Sequence, residues 1–251
     1  MTAMETATLS IVERVAAVQT EIVRACERAG RSPESVRLVA VSKTHPAAAI
    51  LEVLAAGLRH CGENRIEEAL PKMAEVARLA AVPVHWHMIG HVQSRKARYM
   101  TPQFALLHSL DNLKLAERLS RAHLEQQHIM PVLLEINISG EATKEGLAAY
   151  GWQNDAAVRR ALWDEIAQIT ALPGVAVRGL MTMAPIVDDS EAVRPVFAAL
   201  RGLRDALAVD FPQAGWSELS MGMTDDYPVA IEEGATVVRI GRAIFGARRP
   251  A

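Results

Sequence analysis

From residue 36 almost to the end of the chain, short aliphatic runs alternate with longer amphipathic stretches, and this alternation restricts the fold more than any other feature. A short apolar run followed by a helical period is the pattern of a parallel sheet covered by helices. Expected strands are 36–41, 58–61, 84–89, 104–107, 132–136, 175–181, 216–219 and 236–240, eight in all. Expected helices lie between them at 46–56, 66–80, 93–99, 113–127, 155–171, 190–209 and 226–232, with a short last one at 242–245. Eight strands with helical crossovers suit a single α/β domain over 1–251, a (β/α)8 barrel of the TIM type, and counting alone also fits an open doubly wound sheet. An additional helix expected over 8–30 precedes the first strand and is placed to close the outer ring.

A chain of 251 residues is long enough to bury the core of one such barrel. The formal charge of −2 gives no excess of cations to neutralise a phosphate backbone, so nucleic acid is not expected as a partner. No stretch has the ~18 consecutive apolar residues of a membrane span. The N-terminal segment alternates Leu9, Val12, Val15 and Ile22 with Glu13, Glu21 and Arg24, a helical period and not a secretory signal, so a cytoplasmic protein is expected. Cys26 and Cys61 stand far apart and outside any CxxC arrangement, which suits two small buried side chains better than a disulfide framework or a zinc site.

Functional groups of a parallel barrel gather at the carboxyl ends of its strands. The first expected strand ends in VSKT at 41–44, and the period of two places Lys43 on the face of Val39 and Val41. A lysine held against an apolar wall has its neutral form favoured, which suits attack on an aldehyde, although a lone lysine after a strand is more often a solvated loop residue. In the last strand Arg239 shares a face with Val237 and Gly241, where a guanidinium needs either an ion-pair partner or a ligand. Gly241 allows close approach of a phosphate to backbone N–H groups. Ser220, Gly222 and Thr224 follow the seventh strand, and the loops after strands seven and eight are the usual phosphate site of barrels. Glu63 and Asn64 lie at the same rim after the second strand. His85 and His87 share a face of the third, with His91 beyond, and form the rival motif of a metal-dependent barrel hydrolase. The further ligands such a site needs are not evident, so His87 reads better as a satisfied core or rim histidine. Met181 and Met183 suit packing, or contact with a flat ring.

In their order, VSKT (41–44), GEN (62–64), HMIGHVQSRK (87–96), GLMT (179–182), LSMGM (219–223) and VRIG (238–241) resemble the pyridoxal phosphate homeostasis protein family, single-domain relatives of the alanine racemase N-terminal barrel. The resemblance covers residues 39–246. It implies pyridoxal 5'-phosphate (PLP) held as a Schiff base on Lys43, Arg239 facing the pyridine nitrogen, and Ser220, Thr224, Gly241 and Arg242 around the phosphate, with Asn64 near the ring; Gly222 and Met181, read above from the residues alone, complete the expected cofactor site. Arg65 stands where the family often has an aromatic residue, Thr224 replaces the usual Ser, and Arg242 replaces a small residue, which makes its backbone amide the safer contact.

The resemblance further implies a monomeric, non-catalytic holder of PLP in vitamin B6 homeostasis, passing cofactor to PLP-dependent apo-enzymes. An arginine keeps its proton and leaves the ring a poor electron sink, which disfavours transamination. The alternative is a PLP-dependent amino-acid racemase. Such enzymes take an acid-base tyrosine from a second domain, and Tyr99, Tyr150 and Tyr227 occupy no recognisable catalytic setting.

Overall fold

The helical period near the N-terminus becomes α1 (Ile11–Arg28) in the computed structural model, which describes residues 9–141 and 143–246. Thr8, where that helix was expected to begin, lies outside the described residues. Ser10 starts α1 with a capping box. Its hydroxyl accepts from the Glu13 backbone N–H at 3.2 Å, and the Glu13 carboxylate accepts from the Ser10 N–H at 2.7 Å. Val15, Val18, Ile22, Ala25 and Cys26 form its buried stripe.

The chain continues through β1 (Arg37–Val41), α2 (Ala47–Ala55), β2 (His60–Glu63), α3 (Ile66–Leu79), β3 (His85–Met88), β4 (Phe104–Leu110), α4 (Leu113–Leu124) and β5 (Met130–Asn137). Then come β6 (Leu147–Ala148), α5 (Ala156–Thr170), β7 (Val175–Met181), α6 (Arg194–Asp210), β8 (Glu218–Ser220), α7 (Tyr227–Glu232), β9 (Val237–Ile240) and α8 (Arg242–Phe245). Strands pair in the order β4-β3-β2-β1-β9-β8-β7-β5, and the pairing of β4 with β5 closes the ring, so the expected barrel is present and the open sheet is not. The two-residue β6 pairs with β5 outside that ring and was not expected from the sequence. α1 packs against α2, α7 and α8 and completes the helical layer. Arg31 fastens it by donating to the carbonyls of Ile231 at 2.6 Å and Ala235 at 2.9 Å. Among the described residues no helix is long and apolar enough to cross a membrane.

Several expected elements differ at their ends, among them β8, which begins two residues later than expected, and β4, which runs on to Leu110. β2 begins two residues later than expected, because Gly57 turns the chain at φ +90° and Leu58 packs with the helix-side core. Residues 94–99 form a 3-10 helix, and 190–193 another, leaving α6 to start at Arg194 with Pro195 in its first turn. Elsewhere the alternation holds: Leu38, Ala40, Leu134, Leu219, Val238 and Ile240 face the helices in the main core. Gly179, at φ +150°, lets β7 lie against β8, since a Cβ there would stand 1.9 Å from the Glu218 carbonyl oxygen.

The barrel interior is only partly apolar. Leu106, Leu133 and Met181 make a small cluster, and beside it runs a chain of polar side chains. His60 Nδ1 lies 3.0 Å from His87 Nε2, His87 Nδ1 2.8 Å from His108 Nε2, and His108 Nδ1 2.8 Å from Ser220 Oγ. Burial lowers His60 to about 4 and holds His87 and His108 well below the ordinary histidine range, so the three rings are neutral in the fold.

On the outer side of β1 and β2 the buried cation is Lys72 of α3. Its Nζ donates to the Ser42 carbonyl and the Glu63 carboxylate, each at 2.9 Å, and to Glu68 at 3.0 Å. Glu63 also accepts from the Ser42 hydroxyl at 2.6 Å, and Glu68 from the Thr44 backbone N–H. Thr44 has φ +67°, a left-handed conformation that its branched side chain disfavours. Both neighbours of Lys43 are thus tied to α3.

Lys72→Met leaves the Glu63 carboxylate buried without its cation and is expected to cost about 3–5 kcal/mol in urea unfolding. A loss below about 1 kcal/mol, the level of an exposed pair, would show that the network carries no such load. His60 is neutral in both states above pH 6.5, and below that the unfolded chain takes up a proton that the fold resists down to about 4. Folding stability therefore decreases as the pH is lowered from 6.5 to about 4, and His60→Gln should remove about 1.4 kcal/mol per pH unit from the slope of unfolding free energy in this window. An unchanged slope would show that His60 titrates alike in both states.

Candidate functional site

The carboxyl ends of the strands bring most of the singled-out residues to one mouth. Lys43 lies in the turn just after β1 and is half-buried. β1 pairs with β9 so that Val39 is opposite Arg239, which places the lysine and the arginine on adjacent strands of the same wall. Asn64 follows β2, and its side-chain oxygen is buried with no hydrogen-bond partner. Gly90 permits this packing, because a Cβ at that position would stand 2.3 Å from the Asn64 carbonyl oxygen.

Arg239 is 5% exposed and is held by main chain as much as by side chain. Its Nη1 donates to the Ser220 carbonyl at 2.8 Å and the Ser220 hydroxyl at 2.6 Å, and its Nη2 donates to the Thr182 carbonyl at 3.0 Å. These bonds use three of the five guanidinium N–H groups. Burial lowers Arg239 to about 10 while Glu135 and Asp226 oppose the shift, so it remains a cation at neutral pH. Glu135, at the end of β5, is pushed up to about 7 by burial and by the Asp111 charge, against the pull of Arg239. Asp111 accepts from His91 Nδ1 at 2.8 Å. The ligand atoms of His91, Asp111 and Glu145 lie within 4.8 Å of one another, so one rim of the mouth is acidic.

The loops after β8 and β9 form the opposite rim. Gly222 turns at φ +95° where a Cβ would stand 2.7 Å from Ala230, and the Asp226 carboxylate accepts from the Met223 N–H at 2.6 Å. Thr224 lies half-buried in this loop. Arg242 follows Gly241, and its side chain pairs with Asp225, joining the two loops across the surface.

Lys43, Asn64, Gly222, Thr224, Arg239, Gly241 and Arg242 therefore lie at or beneath one opening. Two expected residues sit deeper. Ser220 is fully buried with its hydroxyl between Arg239 and His108, and Met181 belongs to the interior cluster. The His-x-His motif does not present a metal pair: both ring nitrogens of His87 are engaged, while His85 is exposed and stacks on His60 at 4.7 Å. Sequence reasoning missed His60, His108 and Lys72, and assigned no role to Glu135. The inward alternation of Leu106 and His108 along β4 was the available signal for one of them.

The family model of the alanine racemase N-terminal domain matches residues 14–249. The chain is 44% identical over 239 residues to the pyridoxal phosphate homeostasis protein of Pseudomonas aeruginosa, covering 95% of this chain and 96% of that one. It is 39% identical over 242 residues to the protein of the same name from Aquifex aeolicus, covering 96% and 100%. Solved structures of PipY from Synechococcus elongatus are 39% identical and cover 94% of this chain and all of theirs, with TM-scores of 0.80 without PLP and 0.77 with PLP bound. An alanine racemase of Clostridium difficile, 14% identical, shares the fold at a TM-score of 0.66, and the match spans 58% of that enzyme. The chain belongs to the alanine racemase N-terminal domain family, among the pyridoxal phosphate homeostasis proteins.

Proposed function

We propose that this chain binds pyridoxal 5'-phosphate at the barrel mouth, with Lys43 as the Schiff-base residue, and serves cofactor homeostasis by holding PLP and passing it to apo-enzymes. The observation that carries this reading is the pairing of β1 with β9, which sets a lysine and a buried cationic arginine on one wall beneath loops rich in small residues. Lys43 would hold the cofactor through its amine, which would add to the aldehyde carbon with release of one water. The structure fits the group at a second point: the unpartnered buried oxygen of Asn64 calls for a donor that a ring hydroxyl supplies.

Once bound, the cofactor supplies an electrophilic carbon and a ring whose capacity to withdraw electrons depends on protonation of its nitrogen. Arg239 donates a hydrogen bond to that nitrogen and keeps its own proton, so the ring is held rather than activated. Gly222, Thr224 and Gly241 offer backbone and hydroxyl donors to the phosphate. Arg242 contributes its backbone amide, because its side chain is turned to Asp225. Ser220 acts one step back, through Arg239. Met181 closes the interior beneath the ring.

Protein mixed with PLP is expected to show a visible imine band that borohydride traps on the peptide containing Lys43, and Lys43→Ala should lose both band and label. Label spread over surface lysines would overturn the assignment. The racemase alternative is tested separately by exchange of amino-acid α-protons in deuterated buffer. The carrier reading expects none above the rate of free PLP, and stereospecific exchange would establish an enzyme.

A further inference from the structure

The chain of His60, His87, His108 and Ser220 is absorbed by neither the helix-side core nor the direct cofactor contacts. We propose that His60, His87 and His108 are positioning residues for Arg239, acting through Ser220, and that they link the guanidinium to the opposite face of the barrel. This rests on the reading above that Arg239 meets the ring of bound PLP.

The direction of every bond follows from what each group can do. Arginine only donates, so Ser220 Oγ accepts from Arg239 at 2.6 Å, which directs its single hydrogen to His108 Nδ1 at 2.8 Å. His108 is then protonated on Nε2 and donates to His87 Nδ1 at 2.8 Å. His87 in turn is protonated on Nε2 and donates to His60 Nδ1 at 3.0 Å. All three neutral rings carry the same tautomer, imposed from the arginine end, and the serine oxygen is oriented to receive the guanidinium.

The far end meets solvent. A cavity of about 360 Å³ at the amino-terminal face of the barrel is lined by Arg37, His60, His87, Arg178 and Glu218, among others. Several charged or titratable groups face His60 there. His85 stacks on it, His87 bonds it, and Arg37 and Arg178 stand at the floor, with Arg37 paired to Glu218 at 3.0 Å. Around the other end, Glu135 and Asp226 oppose the charge of Arg239. A proton taken up by His60 would meet the donating Nε2–H of His87, and the conflict is relieved only if the chain reverses. Reversal makes His108 donate to Ser220, and the serine hydrogen then competes with Arg239 for its place. Protonation at the floor therefore loosens the arginine at the mouth.

The first test is nitrogen-15 NMR of the histidine side chains in the full chain without PLP. Nε2–H tautomers are expected for His87 and His108, and Nδ1–H on either would overturn the relay. The second is the dissociation constant for PLP as a function of pH in the wild type, His87→Leu, His87→Gln and His60→Gln. His87→Leu cuts the chain without touching Ser220, Arg239 or Lys43, and should weaken PLP binding about threefold or more, with recovery in His87→Gln, which keeps a donor and an acceptor. The relay expects PLP binding of the wild type to weaken on the acid side, and His60→Gln should remove that weakening. If His87→Leu fails to fold, the NMR result and the His60→Gln profile decide. Unchanged constants and profiles in variants of a protein whose wild type binds PLP on Lys43 would sink the relay alone. Failure of the wild type to bind PLP there would sink the cofactor reading, and the tautomers would still test the relay.

Discussion

A full positive charge lies inside the barrel at Arg239, and much of the polar interior is arranged to accommodate it. A buried guanidinium is tolerated only when its N–H groups find acceptors. The Ser220 and Thr182 carbonyls and the Ser220 hydroxyl supply three of them, from the ends of β8 and β7. Serine in this position must dispose of its own hydrogen, which requires an acceptor deeper in the barrel, and His108 is that acceptor. The requirement passes to His87 and on to His60. One charged side chain near the mouth thus accounts for polar residues on four other strands.

The outer side of β1 carries a second buried charge with a different task. Lys72 gathers Ser42, Glu63 and Glu68, and Glu68 holds the strained Thr44. Lys43 is flanked on both sides by these anchored residues, so its backbone has little freedom. Polar networks inside and outside the sheet therefore fix the two residues proposed to meet the cofactor.

The barrel, its closing helix and the face of Arg239 were legible because they depend on local periodicity. Val238 and Ile240 point to the helices as their alternation requires, and Arg239 points inward. β2 was displaced because its inward positions, His60 and Gly62, are not apolar and the hydrophobic run stops short of the strand. The histidine chain was hidden for another reason. His60, His87 and His108 lie more than 20 residues apart in sequence, and only the lateral register of β2, β3 and β4 brings their rings together. Depth along a strand was similarly invisible: Ser220 and Met181 stand on the expected face but below the opening.

The docking of α1 against α7 and α8 bears on how the chain reaches this structure. The Arg28–Glu232 ion pair joins positions 204 residues apart, and β1 pairs with β9 between almost the same segments. During synthesis α1 leaves the ribosome before the barrel strands, yet α7 and α8, against which it packs, are made only after β8. The barrel consequently cannot close by growth from one end, and closure depends on contacts of the longest range, which folding reaches slowly. Until then the apolar stripe of α1 stays open to other chains and to chaperones.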